Sequence, residues 1–207
     1  MKIDLTRPPK LYRYSERKWL DRSLELGEFR LRPATDYKQH ETDSARHDDE
    51  LVRISTSPAS AVKITNERTG QIIKPIGDVV YRSEVGTNYL TICFSKCWDE
   101  HLFDDFPGTD ACLIINDVED FCERLHSAAK LALPQWAGND AAVVYGRERN
   151  HGAVFSKPLK FIVQHEWRFA WRPHTPVEEL APVMLTIGSI ADIAEIVERP
   201  NCAVPRS

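Results

Sequence analysis

Short runs of β-branched and aromatic residues recur along this chain, and turn-forming residues separate most of them. The two clearest runs are NYLTICFS (88–95) and DACLIIN (110–116), whose length and composition are typical of buried strands. Because such runs lie close together in sequence, we expect most of them to pair antiparallel. Further strands are predicted at 10–14, 27–33, 51–56, 61–65, 71–74, 141–146, 160–171 and 185–190.

Helical patterns are fewer than strand patterns. VEDFCERLHSAAKLAL (118–133) places its apolar residues on one face, and Asp117 before it is a favourable N-cap. A second helix is predicted over 16–26, ending at Gly27, and a short third one over 191–197. The sequence therefore predicts an α+β fold, with one mainly antiparallel sheet or two small packed sheets and a few flanking helices.

Length, composition and charge narrow the possible classes of protein. The 207 residues contain no internal repeat and no Gly/Ser linker, which predicts a single domain over 1–207. The formal net charge of −4 argues against a generally basic nucleic-acid binder. Because no apolar run approaches the roughly 20 residues of a membrane-spanning helix and the N-terminus lacks a secretory signal, we expect a cytoplasmic protein without a membrane partner. The odd number of five cysteines favours reduced thiols, and no metal is expected.

The segment KFIVQHEWRFAW (160–171) carries the strongest candidates for function. Strand alternation predicts Gln164, Glu166 and Arg168 on one face, within about 7 Å of one another. A carboxylate in the middle of a strand is costly unless it is solvated, paired or used. Glu166 is therefore either part of a structural ion-pair network or a catalytic or ligand-binding group. The opposite face is predicted to be buried and contains Val163, His165, Trp167 and Phe169.

The pair Gln164-x-Glu166 resembles the Gln/Glu-x-Glu signature of the ADP-ribosyltransferase superfamily. Near the N-terminus, LYRY contains Arg13, which is similar to the arginine that holds the dinucleotide phosphates in the Arg-Ser-Glu branch of that superfamily. The middle element of the pattern has two candidates. One is Ser55-Thr56-Ser57, which resembles the Ser-Thr-Ser element of the NAD pocket, and the other is Ser95.

The layout from about residue 11 to 190 also resembles a widespread bacterial family. Its pattern is an opening aromatic-Arg-Tyr strand, a middle CFS strand and a late F-x-K…E-x-R block. The matching residues are Tyr12-Arg13-Tyr14, Cys93-Phe94-Ser95, Phe155-Ser156-Lys157 and Glu166-Trp167-Arg168. This second resemblance implies no activity by itself.

The first resemblance implies a cleft that binds NAD as substrate. Glu166 would stabilise positive charge on the ribose, and Gln164 would orient the acceptor, a protein or a nucleic acid. Arg13 would pair with the pyrophosphate, and Tyr12 or Tyr14 would stack on nicotinamide. The cofactor-binding set implied by the resemblance is completed by Arg168, Ser55, Thr56, Ser57 and Ser95. Small intracellular members of this superfamily act as bacterial toxins or phage-defence effectors, so an antitoxin partner is also implied.

Two other classes of function remain open. The first is a metal-dependent nuclease, because the acidic segment 40–50 is dense in carboxylates, the groups that bind Mg²⁺ or Mn²⁺ in such enzymes. Charge runs of this kind are more often solvated loops. The chain could instead be a non-catalytic interaction module in which Glu166 and Arg168 pair with each other or with a partner. The aromatic residues of segment 98–106 are expected to fold back onto the domain, and Cys93 is expected to be an inert core residue.

Overall fold

The computed structural model describes residues 6–39, 51–146, 153–177 and 179–200. Three α-helices lie within these ranges: α1 (Arg17–Leu26), α2 (Leu102–Asp105) and α3 (Val118–Ala132). Short 3₁₀ segments occupy Ala34–Gln39, Ala59–Ala61 and Leu159–Gln164. The strands are β1 (Leu11–Ser15), β2 (Glu28–Pro33), β3 (Val52–Ser57), β4 (Ile64–Thr65), β5 (Ile72–Ile73), β6 (Val79–Glu84), β7 (Leu90–Ser95), β8 (Ala111–Ile115), β9 (Trp136–Ala142), β10 (Val144–Tyr145), β11 (Ser156–Lys157), β12 (Glu166–Pro173), β13 (Val183–Thr186) and β14 (Ala194–Glu198).

Strand β7 is the junction of the eight-stranded main sheet. Along one edge it pairs with β12 from Leu90 to Ser95, and β12 pairs in turn with β9. Along its other edge, β2 pairs near Leu90 and β1 pairs at Ser95. Strands β8 and β14 extend the sheet beyond β1, and β13 extends it beyond β2. The sheet therefore divides into two branches at β7, and a gap opens between β1 and β2.

Helices α1 and α3 cover one face of this sheet. Phe94 of β7 and Phe169 of β12 contact Phe121 of α3, with ring centroids 5.4 and 6.0 Å apart. Leu20 of α1 belongs to the same buried cluster. A second cluster, which includes residues of α2, contains Tyr14, Leu102, Phe103 and Cys112. Because Cys112 and Leu113 are consecutive on β8 but lie in different clusters, the two clusters occupy opposite faces of the sheet.

Gly27 allows the sharp turn from α1 into β2. Its φ of 66° lies in the left-handed region, and its backbone N–H bonds the carbonyls of Arg22 and Ser23 at the end of the helix. A Cβ at this position would lie 1.9 Å from the carbonyl oxygen of Gly188. The position therefore requires glycine both for its φ and for the close backbone approach.

The predicted α+β class and the mainly antiparallel pairing are confirmed. Helix α3 begins after Asp117, whose carboxylate accepts the backbone N–H of Asp120 as an N-cap. The hairpin predicted from 61–65 and 71–74 is present in shorter form as the antiparallel pair β4–β5. Its neighbours β3 and β6 form a separate two-stranded sheet.

Two predicted elements were wrong, and the strand predicted at 185–190 is displaced, since β13 spans Val183–Thr186. Segment 160–171 is not one strand, because the residues up to Gln164 form a 3₁₀ turn and His165 adopts a left-handed φ of 42° before β12 begins. Val163 and His165 are exposed, so only the later half of the predicted buried face is buried. The predicted helix at 191–197 is instead largely strand β14, which pairs with β8. In that case tertiary pairing overrides the helical propensity of a segment too short to form a stable helix alone.

Candidate functional site

The gap between β1 and β2 forms a cleft with a volume of about 630 Å³. Helix α1 contributes one wall, since Trp19, Leu20 and Ser23 line the cleft. Strand β7 crosses the cleft through Cys93, Phe94 and Ser95. At its inner end the cleft reaches Lys157, Gln164 and Glu166.

Glu166 is the first residue of β12 and lies directly across from Ser95 of β7. It is only 3% exposed, and its carboxylate pairs with Lys157 Nζ at 2.7 Å and with Arg168 Nε at 2.6 Å. Burial by itself would raise the pKa of Glu166, but the charges of Arg168 and Lys157 outweigh burial and hold that pKa well below its usual range. Glu166 is therefore an ionised carboxylate held between two buried cations.

Lys157 contacts both Gln164 and Glu166. It lies on the short strand β11, and its ammonium group donates to Gln164 Oε1 at 3.1 Å as well as to Glu166. Pro158 then starts the 3₁₀ turn that ends at Gln164, and His165 turns the chain into β12. Gln164 and Glu166 thus meet around Lys157 through a turn rather than along one strand face.

Arg168 lies beneath the cleft rather than on its surface. Its side chain is fully buried, and its Nη1 donates to the carbonyl of Val154 at 2.6 Å. Arg168 does not line the cleft, so its side chain is not placed for the predicted contact with a cofactor. Arg168 acts on the cleft through its ion pair with Glu166.

Arg13 lines the cleft from β1. Its Nη1 donates to the carbonyl oxygen of Cys93 at 3.0 Å, and its guanidinium carbon lies 5.6 Å from the centroid of the Phe94 ring. Strand β7 has changed partner from β2 to β1 at this point, so the guanidinium lies where the two branches of the sheet separate. The structure thus places Arg13, Ser95 and Glu166 around one cleft.

Tyr12 and Tyr14 also line the cleft but are held in an aromatic cluster. Tyr12 packs edge-on to Trp98 and Tyr14 packs edge-on to Phe103, with ring centroids 6.1 and 5.0 Å apart. The hydroxyl of Tyr14 accepts the backbone N–H of Asp99, and burial raises the pKa of Tyr14. The prediction that the aromatic residues of 98–106 fold back onto the domain is confirmed.

The structure separates the two candidates for the middle serine element. Ser55, Thr56 and Ser57 lie on β3, which pairs with β6 outside the main sheet, and none of the three borders the cleft. Ser95 lies across from Tyr12 on one side and from Glu166 on the other. Its hydroxyl donates to the carbonyl of Cys97 at 2.8 Å. Ser95 is therefore the serine that accompanies Arg13 and Glu166.

Two residues of the site were not anticipated in these roles. Lys157 was part of a matched motif, but only the folded chain shows it paired with Glu166. Cys93, expected in the core, is half-buried and lines the cleft. The alternation of β7 was the available signal, because it puts Cys93 on the same face as Ser95 and opposite the face of Phe94.

The described part of the chain shows neither a metal-binding cluster nor a membrane-spanning helix. The described ranges contain no cluster of three or more His, Cys, Asp or Glu residues placed to hold a metal ion. The acidic segment 40–50, on which the nuclease prediction depends, lies outside the described residues. In the same described part of the chain, no helix has the length and apolarity needed to cross a membrane.

Comparison of the chain with protein-family models, with curated proteins and with solved structures found no match. A proposal about function therefore rests on the chemistry of the cleft and on the resemblance of its residues to a known motif.

Proposed function

We propose that this chain is an NAD⁺-dependent ADP-ribosyltransferase whose active site is the cleft between β1 and β2. The observation that carries the proposal is that Arg13, Ser95 and Glu166, from three neighbouring strands, border this single cleft. Its volume of about 630 Å³ is within the range of cavities that bind small molecules. One residue for each of the three elements of the superfamily pattern therefore borders the cleft, although the three are far apart in sequence.

In the proposed reaction, the bond between nicotinamide and C1′ of the ribose breaks, and nicotinamide leaves with the bonding electron pair. Positive charge develops on the ribose, and an ionised carboxylate placed beside it lowers the energy of that transition state. A nucleophile of the acceptor then forms a bond to C1′ and releases its proton. Glu166 supplies the carboxylate, because the neighbouring cations keep it ionised.

The existing ion pairs indicate how Glu166 would reach the ribose. Lys157 lines the cleft, whereas Arg168 is fully buried behind it. The contact with Lys157 is therefore the one that a ribose hydroxyl would replace, while Arg168 continues to hold the carboxylate. Lys157 would remain bound to Gln164, which orients the acceptor in this proposal.

The remaining parts of the proposal concern the ligand and the partners. Arg13 binds the pyrophosphate through its guanidinium fork, and Tyr12, the less buried of the two tyrosines, stacks on nicotinamide. The acceptor is a protein or a nucleic acid, and an antitoxin protein would act by covering the cleft. We place the protein in the cytoplasm as a toxin or phage-defence effector, a setting that rests on the resemblance alone.

The test is NAD⁺ consumption by purified protein with cell lysate and labelled NAD⁺, so that the unidentified acceptor is present. Wild type should release nicotinamide and transfer label, and Glu166→Gln should reduce the rate by at least about a hundredfold because it removes the charge opposite the oxocarbenium ion. Ser95→Ala should lower the rate while leaving every ion pair intact. Glu123→Gln, an exposed site on α3, is the matched control and should behave as wild type.

Each variant needs a thermal unfolding curve, since Glu166 is part of a buried ion-pair cluster. Loss of turnover in a variant that remains folded supports the transferase. Folded wild type that binds NAD⁺ without consuming it in the presence of lysate contradicts the transferase and supports the second candidate.

The second candidate is a non-catalytic module that binds a phosphorylated ligand. It is favoured by the burial of Glu166 and by the two ion pairs of its carboxylate, which together describe a structural network. In that case ligand binding persists in Ser95→Ala and no nicotinamide is released. The nuclease alternative stays a prediction for the segment 40–50, to be tested by EDTA-sensitive cleavage that is lost in Asp48→Ala.

A further inference from the structure

Strand β2 contributes two arginines to the cleft. Phe29 and Leu31 are buried in the core, and the alternating residues Arg30 and Arg32 point to the other side and line the cleft. Two residues apart on a strand, these side chains start about 7 Å from each other. Arg13 lines the same cleft from β1, across the gap in the sheet. Guanidinium groups thus border the cleft on both branches.

The cleft is positively charged although the protein is not. Its lining contains five basic and three acidic side chains, an excess of two positive charges, whereas the whole chain has a formal net charge of −4. The acidic side chains are already engaged within the protein. Glu28 accepts two bonds from Arg22 at 2.6 Å, Glu16 pairs with Lys18, and Glu166 pairs with Lys157. This distribution favours an anionic ligand.

An exposed aromatic residue lies on the helical wall of the cleft. Trp19 of α1 is 54% exposed although it lines the cleft, and its indole N–H donates to Glu16 at 3.2 Å. That bond holds the ring in one orientation. A large, oriented and partly exposed aromatic ring is a stacking surface for a nucleobase, since every base presents a π-face.

We propose that Arg30 and Arg32, together with Arg13, bind the diphosphate of a nucleoside diphosphate group and that Trp19 stacks on its base. The arginines supply bidentate donors to the phosphate oxygens. If the proposed function is correct, the ligand is the ADP part of NAD⁺. The base then lies at α1, and the second ribose lies at the inner end of the cleft beside Glu166.

The test measures binding of three probes, ADP, inorganic pyrophosphate and adenosine, by calorimetry at low ionic strength. Wild type should bind ADP and pyrophosphate, and adenosine much more weakly. Arg30→Gln and Arg32→Gln should each weaken binding of both phosphate probes by roughly tenfold, as expected for a charge-assisted hydrogen bond. Arg172→Gln removes an exposed arginine outside the cleft and should bind like wild type.

Trp19→Ala separates the two parts of the site. It should weaken ADP binding by roughly tenfold, the order expected for the loss of one stacked base, and leave pyrophosphate binding unchanged. The assignment is overturned if adenosine binds as tightly as ADP, or if the two β2 variants bind ADP like Arg172→Gln.

Failure of this assignment is distinguishable from failure of the proposed transferase. NAD⁺ consumption with normal ADP binding in Arg30→Gln and Arg32→Gln would leave the transferase standing and remove the β2 arginines from the site. Arginine-dependent ADP and pyrophosphate binding without NAD⁺ consumption would keep the nucleotide site and remove the transferase.

Discussion

At the scale of single residues, the cluster of Lys157, Glu166 and Arg168 controls both charge and stability at the inner end of the cleft. One carboxylate pairs with two cations, and all three side chains are at least 90% buried. Buried ions are costly to remove from water, so the loss of one partner leaves the others uncompensated. The carboxylate is the most sensitive member, because its removal leaves two buried like charges side by side.

We therefore expect Glu166→Gln to lower the free energy of unfolding by about 3 kcal/mol, as for other buried ion pairs that lose one partner. Adding Lys157→Met removes one of the two stranded cations, so the double variant should lose less stability than the sum of the single variants. Urea unfolding of wild type, both single variants and the double variant measures this coupling. Additive losses, within about 0.5 kcal/mol, would show that Lys157 and Glu166 do not interact in solution.

At the scale of elements, the two-stranded sheet of β3 and β6 differs from the main sheet. Ile54 of β3 is 59% exposed and Val80 of β6 is 63% exposed, whereas every residue of β7 except Cys93 is buried. An isolated two-stranded sheet is marginally stable in water, because one pair of strands buries little apolar surface. Its local stability should be correspondingly low.

Native-state hydrogen exchange should consequently show that the paired backbone amides of β3 and β6 exchange at least about a hundredfold faster than those of β7 and β12, since exchange reports the free energy of local opening. Both regions are antiparallel strand pairs, so a difference in exchange rate between them does not come from the type of secondary structure. Equal protection in the two regions would mean that β3 and β6 are stabilised by contacts beyond their own pairing.

The local sequence pattern was sufficient to predict one long helix and two buried strands. The periodicity of α3 and the apolar runs of β7 and β8 predicted these elements nearly to their observed limits. The pattern failed at 160–164, where alternating residues continue through a turn that Pro158 and His165 impose. It failed again at β14, where pairing with β8 decides the conformation.

The candidate site was only partly predictable, for a related reason. Glu166 and Arg13 could be selected from residue type and local strand pattern. The choice of Ser95 over Ser55 depends on which strands are neighbours, and the pairing of β1, β7 and β12 joins segments more than seventy residues apart. Lys157 lies only nine residues before Glu166, but the turn over 159–165 brings the two together, and strand alternation alone did not predict that turn.

At the scale of the whole molecule, β7 connects the two branches of the sheet. Strand β7 pairs with β1, β2 and β12, so the pairing that links the two branches depends on β7. The main buried cluster likewise includes residues from both branches, such as Leu113 of β8 and Leu185 of β13. The cleft between the branches should therefore not behave as a boundary between two folding units.

If the chain is a single domain, as its sequence predicts, we expect one cooperative unfolding transition. Tryptophan fluorescence, which samples Trp167 and Trp171 at the centre of the sheet, should follow the same urea curve as far-UV circular dichroism. Trp19→Phe removes an exposed fluorescent reporter. It should change the free energy of unfolding by no more than about 0.5 kcal/mol, as is usual for surface substitutions. Two separated transitions would mean that the two branches of the sheet unfold independently. The cleft would then lie at a boundary between two domains, and its width would depend on how the two branches move relative to each other.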